Sequence, residues 1–475
     1  VTTDLTKIVK AYDVRGLVPA ELSPRVAWAL GLAFAEVVAV PDGAARVVVG
    51  RDMRDTGPAL AREFAAGVTS RGVDVVDVGL CSTDGLYFAS GSLQAPGVMF
   101  TASHNPAEYN GIKMCRAGAR PVGQDTGLAQ IRDRAQQILD GAEPEVAGTP
   151  GEVVEQDVLG DYAAFLRSLV DLSDLRPLKV VVDAGNGMAG LTVPAVLGDA
   201  AGLPGLPLEV VPLYFELDGT FPHHEANPLE PANLADLQRA VVSHGADLGL
   251  AFDGDADRCF VVDETGAAVS PSAITALVGM REIAREQAAG RPATVIANLI
   301  TSRAVTDLLG ESATVVRTRV GHSFIKQTMA EHSAIFGGEH SAHYYFRDFW
   351  FADTGMLAAL HVLAALGSQP HPAGALADMY TPYSASGEIN SRVTDPGATT
   401  ERVRDAYERA YPEAVVDTLD GLTVTHWDDQ HPKWWFNLRA SNTEPLLRLN
   451  VEAADHDIMT KLRDDVLSLV HEEAL

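Results

Sequence analysis

Cysteine is scarce. Cys81, Cys115 and Cys259 are the only three in 475 residues. An odd number at wide spacing builds no disulfide framework and points to a reducing compartment, so a cytoplasmic location is expected. Long apolar runs are also missing, since none reaches the ~18 residues that a membrane span requires. The longest helical apolar stretch, Met356 to Leu366, is interrupted by His361 and reads as a core helix. The first residues show no basic region ahead of an apolar core, so no secretory signal is expected. Positive charge is the third shortage. Against 64 Asp and Glu stand 36 Lys and Arg, a net charge of −28 at pH 7. That balance argues against a nucleic-acid partner and against an anionic membrane surface.

What is present describes a globular chain. Hydrophobic residues make up 47% and charged residues 21%, which is folded rather than disordered composition. The length exceeds one ordinary core and suggests about three domains, with three or four reasonable. Strand-like and helix-like segments alternate first: Arg46 to Gly50 as strand, Leu60 to Val68 as helix, Val73 to Val78 as strand. Ala142 to Gly151, with Pro144, Pro150 and several acidic residues nearby, reads as a linker. A second α/β unit runs through Val180-Val181-Val182-Asp183. A third carries strand Thr294 to Ala297, helices near 272–288 and 354–366, and a strand-like Ala334 to Gly337. The character changes near residue 385, where strands and helices read as α+β. There the segment Glu401 to Ala410 is helical, and a last helix from Ile458 places Leu462, Val466 and Val470 on one face.

Two stretches carry chemistry. The apolar Val98-Met99-Phe100 leads into Thr101-Ala-Ser103-His104-Asn105-Pro106, with Gly111 and Lys113 beyond. A strand end would present the Ser103 hydroxyl on a tight turn, Pro106 would stop the strand, and Gly111 would permit an unusual backbone angle. A small nucleophile beside His104, with a lysine ten residues on, suits covalent catalysis. The second stretch is Leu248-Gly-Leu-Ala-Phe-Asp253-Gly-Asp255-Ala-Asp257-Arg258-Cys-Phe-Val-Val262. Three carboxylates this close repel one another unless a cation neutralises them, and hard oxygens suit Mg²⁺ or Ca²⁺. The plain alternative is a solvated acidic turn. An EF-hand is excluded: Arg258 takes the loop position that requires Gly, and the flanks are strand-like despite Glu264 at the last loop position.

With three further motifs in the same order, the chain resembles the α-D-phosphohexomutases over nearly its whole length, most of all their bacterial phosphomannomutase branch. Tyr12-Asp-Val-Arg15-Gly16 is similar to the family's opening motif. Ser103-His-Asn-Pro106 is similar to its phosphoserine loop, and Asp253 to Arg258 to its metal loop. Gly337-Gly-Glu339-His-Ser341-Ala-His343 is similar to its sugar-recognition loop, and Arg439-Ala-Ser441-Asn442-Thr443-Glu-Pro445 to its phosphate-binding loop. The resemblance implies three similar mixed-sheet α/β domains and a smaller C-terminal α+β domain around a central cleft. The boundaries expected are 1–147, 148–267, 268–382 and 383–475.

It also implies roles. Phospho-Ser103 would exchange its phosphate with a hexose phosphate through a hexose 1,6-bisphosphate, which doubles as activator. Ser103, Asp253, Asp255 and Asp257 would hold Mg²⁺. Lys113 and His322 are the candidates for moving protons, and His104 for orienting the serine loop. Tyr12, Arg15, Arg258, Glu339, Ser341 and His343 would contact substrate, and Arg439, Ser441, Asn442 and Thr443 its distal phosphate. His340 and Asn442 stand where glucosamine-phosphate members usually carry Gln and Gly, which favours mannose phosphate with glucose phosphate tolerated. Phosphoglucomutase and phosphoglucosamine mutase remain the alternatives, and a monomer or homodimer is expected. Cys81-Ser-Thr-Asp-Gly85 departs from the Pro-Thr-Pro turn common in the family's first domain.

One pattern points elsewhere. Gly185-Asn-Gly187-Met-Ala-Gly190 satisfies the dinucleotide fingerprint of a nicotinamide-dependent oxidoreductase. Asp183 at the strand end and the absence of an acid directly after Leu208 to Leu213 weigh against it. A pure sugar-binding module would have no need of the costly carboxylate cluster beside a nucleophile.

Overall fold

The computed structural model describes residues 4–440 and 446–472, the side chains of His322 and Ser323 excepted. The chain forms two compact units, Val1–Val269 with Ser341–Gly374, and Ser270–His340 with Ala375–Leu475.

Among the described residues the first unit holds two large sheets and the antiparallel strand pair Tyr344–Phe346 and Ala352–Asp353. One runs Asp13–Leu17, Tyr109–Arg116, Gly97–Phe100, Arg46–Arg51, Asp74–Leu80, Val153–Glu155, with Arg120–Pro121 on the side of Tyr109–Arg116. Gly97–Phe100 is parallel to Arg46–Arg51 and antiparallel to Tyr109–Arg116. All four of its residues are buried, as an uninterrupted apolar run in a sheet covered on both faces requires. The helix Gly57–Thr69 contributes Leu60, Phe64 and Val68 to this core. The second sheet runs Ala268–Val269, Cys259–Asp263, Leu248–Phe252, Leu178–Asp183, Leu208–Leu213. Its strands Leu248–Phe252 and Cys259–Asp263 are antiparallel, so the three-aspartate loop is the tip of a hairpin. The helix Gly355–Gly367 is buried along its entire length, as the apolar run from Met356 demands.

The second unit contains the parallel strands Thr314–Thr318, Thr294–Asn298 and Phe336–Gly338. A separate antiparallel sheet follows in the order Ser384–Arg392, Leu446–Ala453, Trp434–Ala440, Leu422–His426, Val415–Asp417. Its helices Pro396–Ala410 and His456–His471 cover one core, in which Met459, Leu462, Val466 and Val470 are buried together with Val403 and Phe436. These sheets and helices give the α/β architecture with an α+β C-terminal part.

Element ends differ from the sequence reading for local reasons. The Glu401 helix begins at Pro396, because the Asp395 carboxylate caps it by accepting from the Ala398 N–H at 3.0 Å. The strand expected from Ala334 starts at Phe336, because the preceding helix ends with Ser333 in the left-handed conformation.

Candidate active site

The Ser103 turn joins two antiparallel strands, Gly97–Phe100 and Tyr109–Arg116. The unusual backbone angle belongs to Ser103 itself, at φ 48°. Gly111 adopts no positive φ, contrary to expectation; it sits within the second strand. Glycine is required there by close approach, because a Cβ would lie 2.4 Å from the Val14 carbonyl oxygen and 2.6 Å from that of Thr101. The Ser103 N–H donates to the Thr101 hydroxyl at 2.9 Å, and the Asn105 N–H to the Ala102 carbonyl at 3.0 Å. So placed, the Ser103 hydroxyl donates to Asp253 Oδ2 at 2.8 Å and stands 3.3 Å from His104 Nδ1.

Asp253, Asp255 and Asp257 are buried at the hairpin tip, with one oxygen of each within 4.8 Å of the others. Arg258 donates to Asp253 through Nε at 2.9 Å and to His104 Nδ1 through Nη2 at 2.6 Å. A guanidinium only donates, so His104 Nδ1 is the acceptor and the ring is neutral. Burial, then the charges of Arg258 and Arg15, lower its pKa to about 3. Burial pushes Asp253 up to about 7, against the pull of Arg258. Lys113 donates to Asp255 Oδ2 at 2.7 Å and Asp257 Oδ2 at 2.6 Å. Burial opposes its charge, yet the two carboxylates outweigh burial and hold its pKa well above that of free lysine.

The residues fit a divalent cation. The second oxygens of Asp255 and Asp257 are buried and accept no hydrogen bond among the described residues. Lone pairs left without donors in a buried oxygen cluster call for a hard cation.

Arg15 donates to Asp13 at 2.7 Å and to the Asn105 side chain, reaching the serine turn from the neighbouring strand. Ser341 and His343 hydrogen-bond each other at 3.0 Å, and His343 Nε2 lies 3.6 Å from Asp257 Oδ1. Tyr12 is partly exposed and Glu339 is buried. In the second unit, Arg439 lies 3.6 Å from Glu388 and 3.8 Å from Asp420. The side chain of His322 and all of Ser441, Asn442 and Thr443 fall outside the described residues.

No motif singles out Thr83, yet its hydroxyl donates to Asp255 Oδ2 at 2.6 Å. The neighbouring Asp84 is fully buried and accepts from Ser82, from Tyr162 at 2.7 Å and from Thr354 at 2.6 Å. The divergent Cys81–Gly85 turn thus borders the carboxylate cluster. The dinucleotide-like turn does so as well. Its Met188 N–H donates to the Gly254 carbonyl at 2.9 Å, and a Cβ on Gly187 would lie 2.7 Å from that oxygen. The glycine turn serves the packing of the aspartate loop, leaving the nicotinamide reading without support.

Four family descriptions match in order: Phosphoglucomutase/phosphomannomutase alpha/beta/alpha domain I over residues 6–141, domain II over 160–266, domain III over 270–383, and the C-terminal domain over 388–469. The chain belongs to the α-D-phosphohexomutase family. Within this family it is similar to the phosphomannomutase of Escherichia coli strain K12, 39% identical over 98% of both chains. It is also 41% identical to a protein named "Phosphohexose mutases" from Xanthomonas campestris, over 97% of this chain and 98% of that one. Among solved structures, a phosphoglucomutase/phosphomannomutase family protein from Burkholderia thailandensis superimposes with a TM-score of 0.84 at 31% identity, covering 98% of each chain. The phosphohexomutase fold therefore extends over essentially the whole chain.

Proposed function

We propose that the protein is a phosphomannomutase that interconverts mannose 6-phosphate and mannose 1-phosphate and also takes glucose phosphates. The observation that carries this reading is the Ser103 hydroxyl, 2.8 Å from Asp253 within a buried carboxylate triad. Similarity over nearly the full chain to phosphomannomutases supports it.

Ser103 is the phosphoryl carrier. A sugar hydroxyl attacks the phosphorus of phospho-Ser103, the P–O bond to Ser103 breaks, and a hexose 1,6-bisphosphate results. The serine oxygen then attacks the other phosphate, releasing the isomeric monophosphate. In each half the attacking hydroxyl loses a proton and the leaving oxygen gains one, and Lys113 and His322 are the groups proposed to handle them; a cation on Asp255 and Asp257 would weaken the pull that keeps Lys113 protonated. Asp253, Asp255, Asp257 and a phosphoserine oxygen would hold Mg²⁺, which when bound offsets charge on the transferring group. His104, held by Arg258, orients the serine turn. Tyr12, Arg15, Arg258, Glu339, Ser341 and His343 contact the sugar phosphate. Arg439, Ser441, Asn442 and Thr443 hold the phosphate that is not reacting. The same reading takes the domains as 1–147, 148–267, 268–382 and 383–475, places the protein in the cytoplasm, and has it act as monomer or homodimer.

The test is a side-by-side assay of mannose 1-phosphate and glucose 1-phosphate, with Mg²⁺ and glucose 1,6-bisphosphate as activator. Intact mass spectrometry should find one phosphate at Ser103, and Ser103→Ala should lose nearly all turnover. Full turnover by that variant, with no phosphopeptide in the wild type, would sink the mechanism.

A further inference from the structure

Arg54 is one of the largest fully buried side chains in the protein, 2% exposed. A guanidinium has five N–H donors, and here each one has an acceptor. Nε faces Asp52 Oδ2 at 3.3 Å. Nη1 donates to the carbonyls of Pro106 at 2.8 Å and Tyr109 at 2.9 Å. Nη2 donates to the carbonyls of Ser103 at 3.0 Å and Asn105 at 2.6 Å. Four of the five donors therefore converge on main-chain oxygens of the turn that carries Ser103. Asp52 completes the device by accepting from the Arg54 N–H at 3.0 Å, and its charge balances the buried guanidinium. Phe221 lies under the cation, 5.1 Å from the guanidinium carbon, and a Cβ on Gly219 would come within 2.8 Å of the Arg54 Cα. The 218–221 stretch thus packs directly against it.

The arrangement answers a problem posed by Ser103. Its φ of 48° is the left-handed conformation, which crowds the Cβ of a non-glycine residue against its own backbone. Carbonyls in a turn that reverses between two strands also converge and repel. A single cation with planar, fixed donors offsets both effects. Resting on the reading of Ser103 as phosphoryl carrier, we propose that Arg54 is the positioning residue of the phosphoserine turn. Its guanidinium gathers four carbonyls and so fixes the serine oxygen on Asp253. Arg54 itself touches neither the triad nor, by any donor left over, the sugar phosphate. Its effect should therefore fall on transfer of phosphate to and from Ser103 and spare the binding of substrate.

Arg54→Lys keeps the charge but offers three donors from a single nitrogen and loses the planar fork. In the full-length protein, phosphorylation of Ser103 by glucose 1,6-bisphosphate, read by intact mass against time, should slow by roughly 100-fold. The kcat should fall with it, while KM stays within about threefold. Wild-type phosphorylation kinetics in Arg54→Lys would overturn the proposal, as would a rise in KM that alone accounts for the loss. A failure of the carrier reading looks different, because Ser103→Ala would then keep its turnover whatever Arg54 does. Should Arg54→Lys not fold, hydrogen exchange on the wild-type protein decides. Amides of residues 102–108 should exchange as slowly as those of the Tyr109–Arg116 strand, and exchange as fast as that of residues 142–150 would overturn the proposal.

Discussion

Thr83 holds Asp255 twice, its N–H donating to the Asp255 carbonyl at 3.0 Å and its hydroxyl to Oδ2 at 2.6 Å. With Lys113 on the same Oδ2, the other oxygen of Asp255 is left to face the cation site. A hydrogen bond to a charged group contributes about 1.5–3 kcal/mol, and partners of metal ligands commonly change metal affinity ~10- to 100-fold. Thr83→Val, which keeps the shape and deletes the donor, should weaken Mg²⁺ binding within that range in a calorimetric titration. Thr83→Ser should bind as the wild type does. Equal affinity in Thr83→Val would show that the hydroxyl does not orient the ligand.

Lys113 neutralises two buried carboxylates from 2.7 and 2.6 Å. Breaking such a buried pair by removing one partner costs about 4 kcal/mol. Lys113→Met should accordingly melt at a lower temperature without divalent ions, and Mg²⁺ should raise its midpoint more than it raises that of the wild type. The same Mg²⁺ shift in both proteins would mean that lysine and cation do not share the work of neutralising Asp255 and Asp257.

Asp84 should make stability depend on pH. Burial raises its pKa from 3.8 to about 6, with the Ser82, Thr354 and Tyr162 hydroxyls pulling the other way. Between those values the folded state keeps a proton that the unfolded chain has released. Stability from this group is therefore greatest below the unfolded value and declines as pH rises to about 6, by up to ~1.4 kcal/mol per unit. Asp84→Asn has no such titration. Its melting temperature relative to the wild type should climb between about pH 4 and pH 6 and stay level above. A difference independent of pH would show that Asp84 titrates normally.

The sequence makes some of this visible and hides the rest. Ser103 and the aspartate triad are legible because apolar strand runs on either side leave polar turn residues no core to join. The dinucleotide fingerprint at Gly185–Gly190 fails because it specifies only a turn that admits close backbone approach, and what approaches is Gly254 rather than a pyrophosphate. Gly111 is legible as necessary but for the wrong reason, since a sheet neighbour crowds its Cβ position. Arg54 and Thr83 leave no local trace. Arg54 acts on main-chain oxygens that any residue supplies, and Thr83 meets a partner 172 positions away. Their contacts depend on which strands become neighbours, such as Asp13–Leu17 beside Tyr109–Arg116, and periodicity does not encode strand order.

Arg439 tests the remaining assignment. Its guanidinium lies 3.6 Å from Glu388 and 3.8 Å from Asp420, both beyond ordinary hydrogen-bond length, and its Nε is buried without a hydrogen-bond partner among the described residues. A cation held loosely between two carboxylates keeps donors for a phosphate. A charge-assisted contact is worth ~1.5–3 kcal/mol, so Arg439→Ala should lower kcat/KM by roughly 10- to 150-fold. Arg439→Lys keeps the charge without the bidentate geometry and should fall between Arg439→Ala and the wild type. Phosphorylation of Ser103 in the isolated protein should survive in both, because the two residues belong to different compact units. If Arg439 serves only to balance Glu388 and Asp420, the outcome separates cleanly: Arg439→Ala would match wild-type kinetics at every substrate concentration while its thermal midpoint falls. That result would remove Arg439 from the substrate site and leave the distal phosphate to other donors.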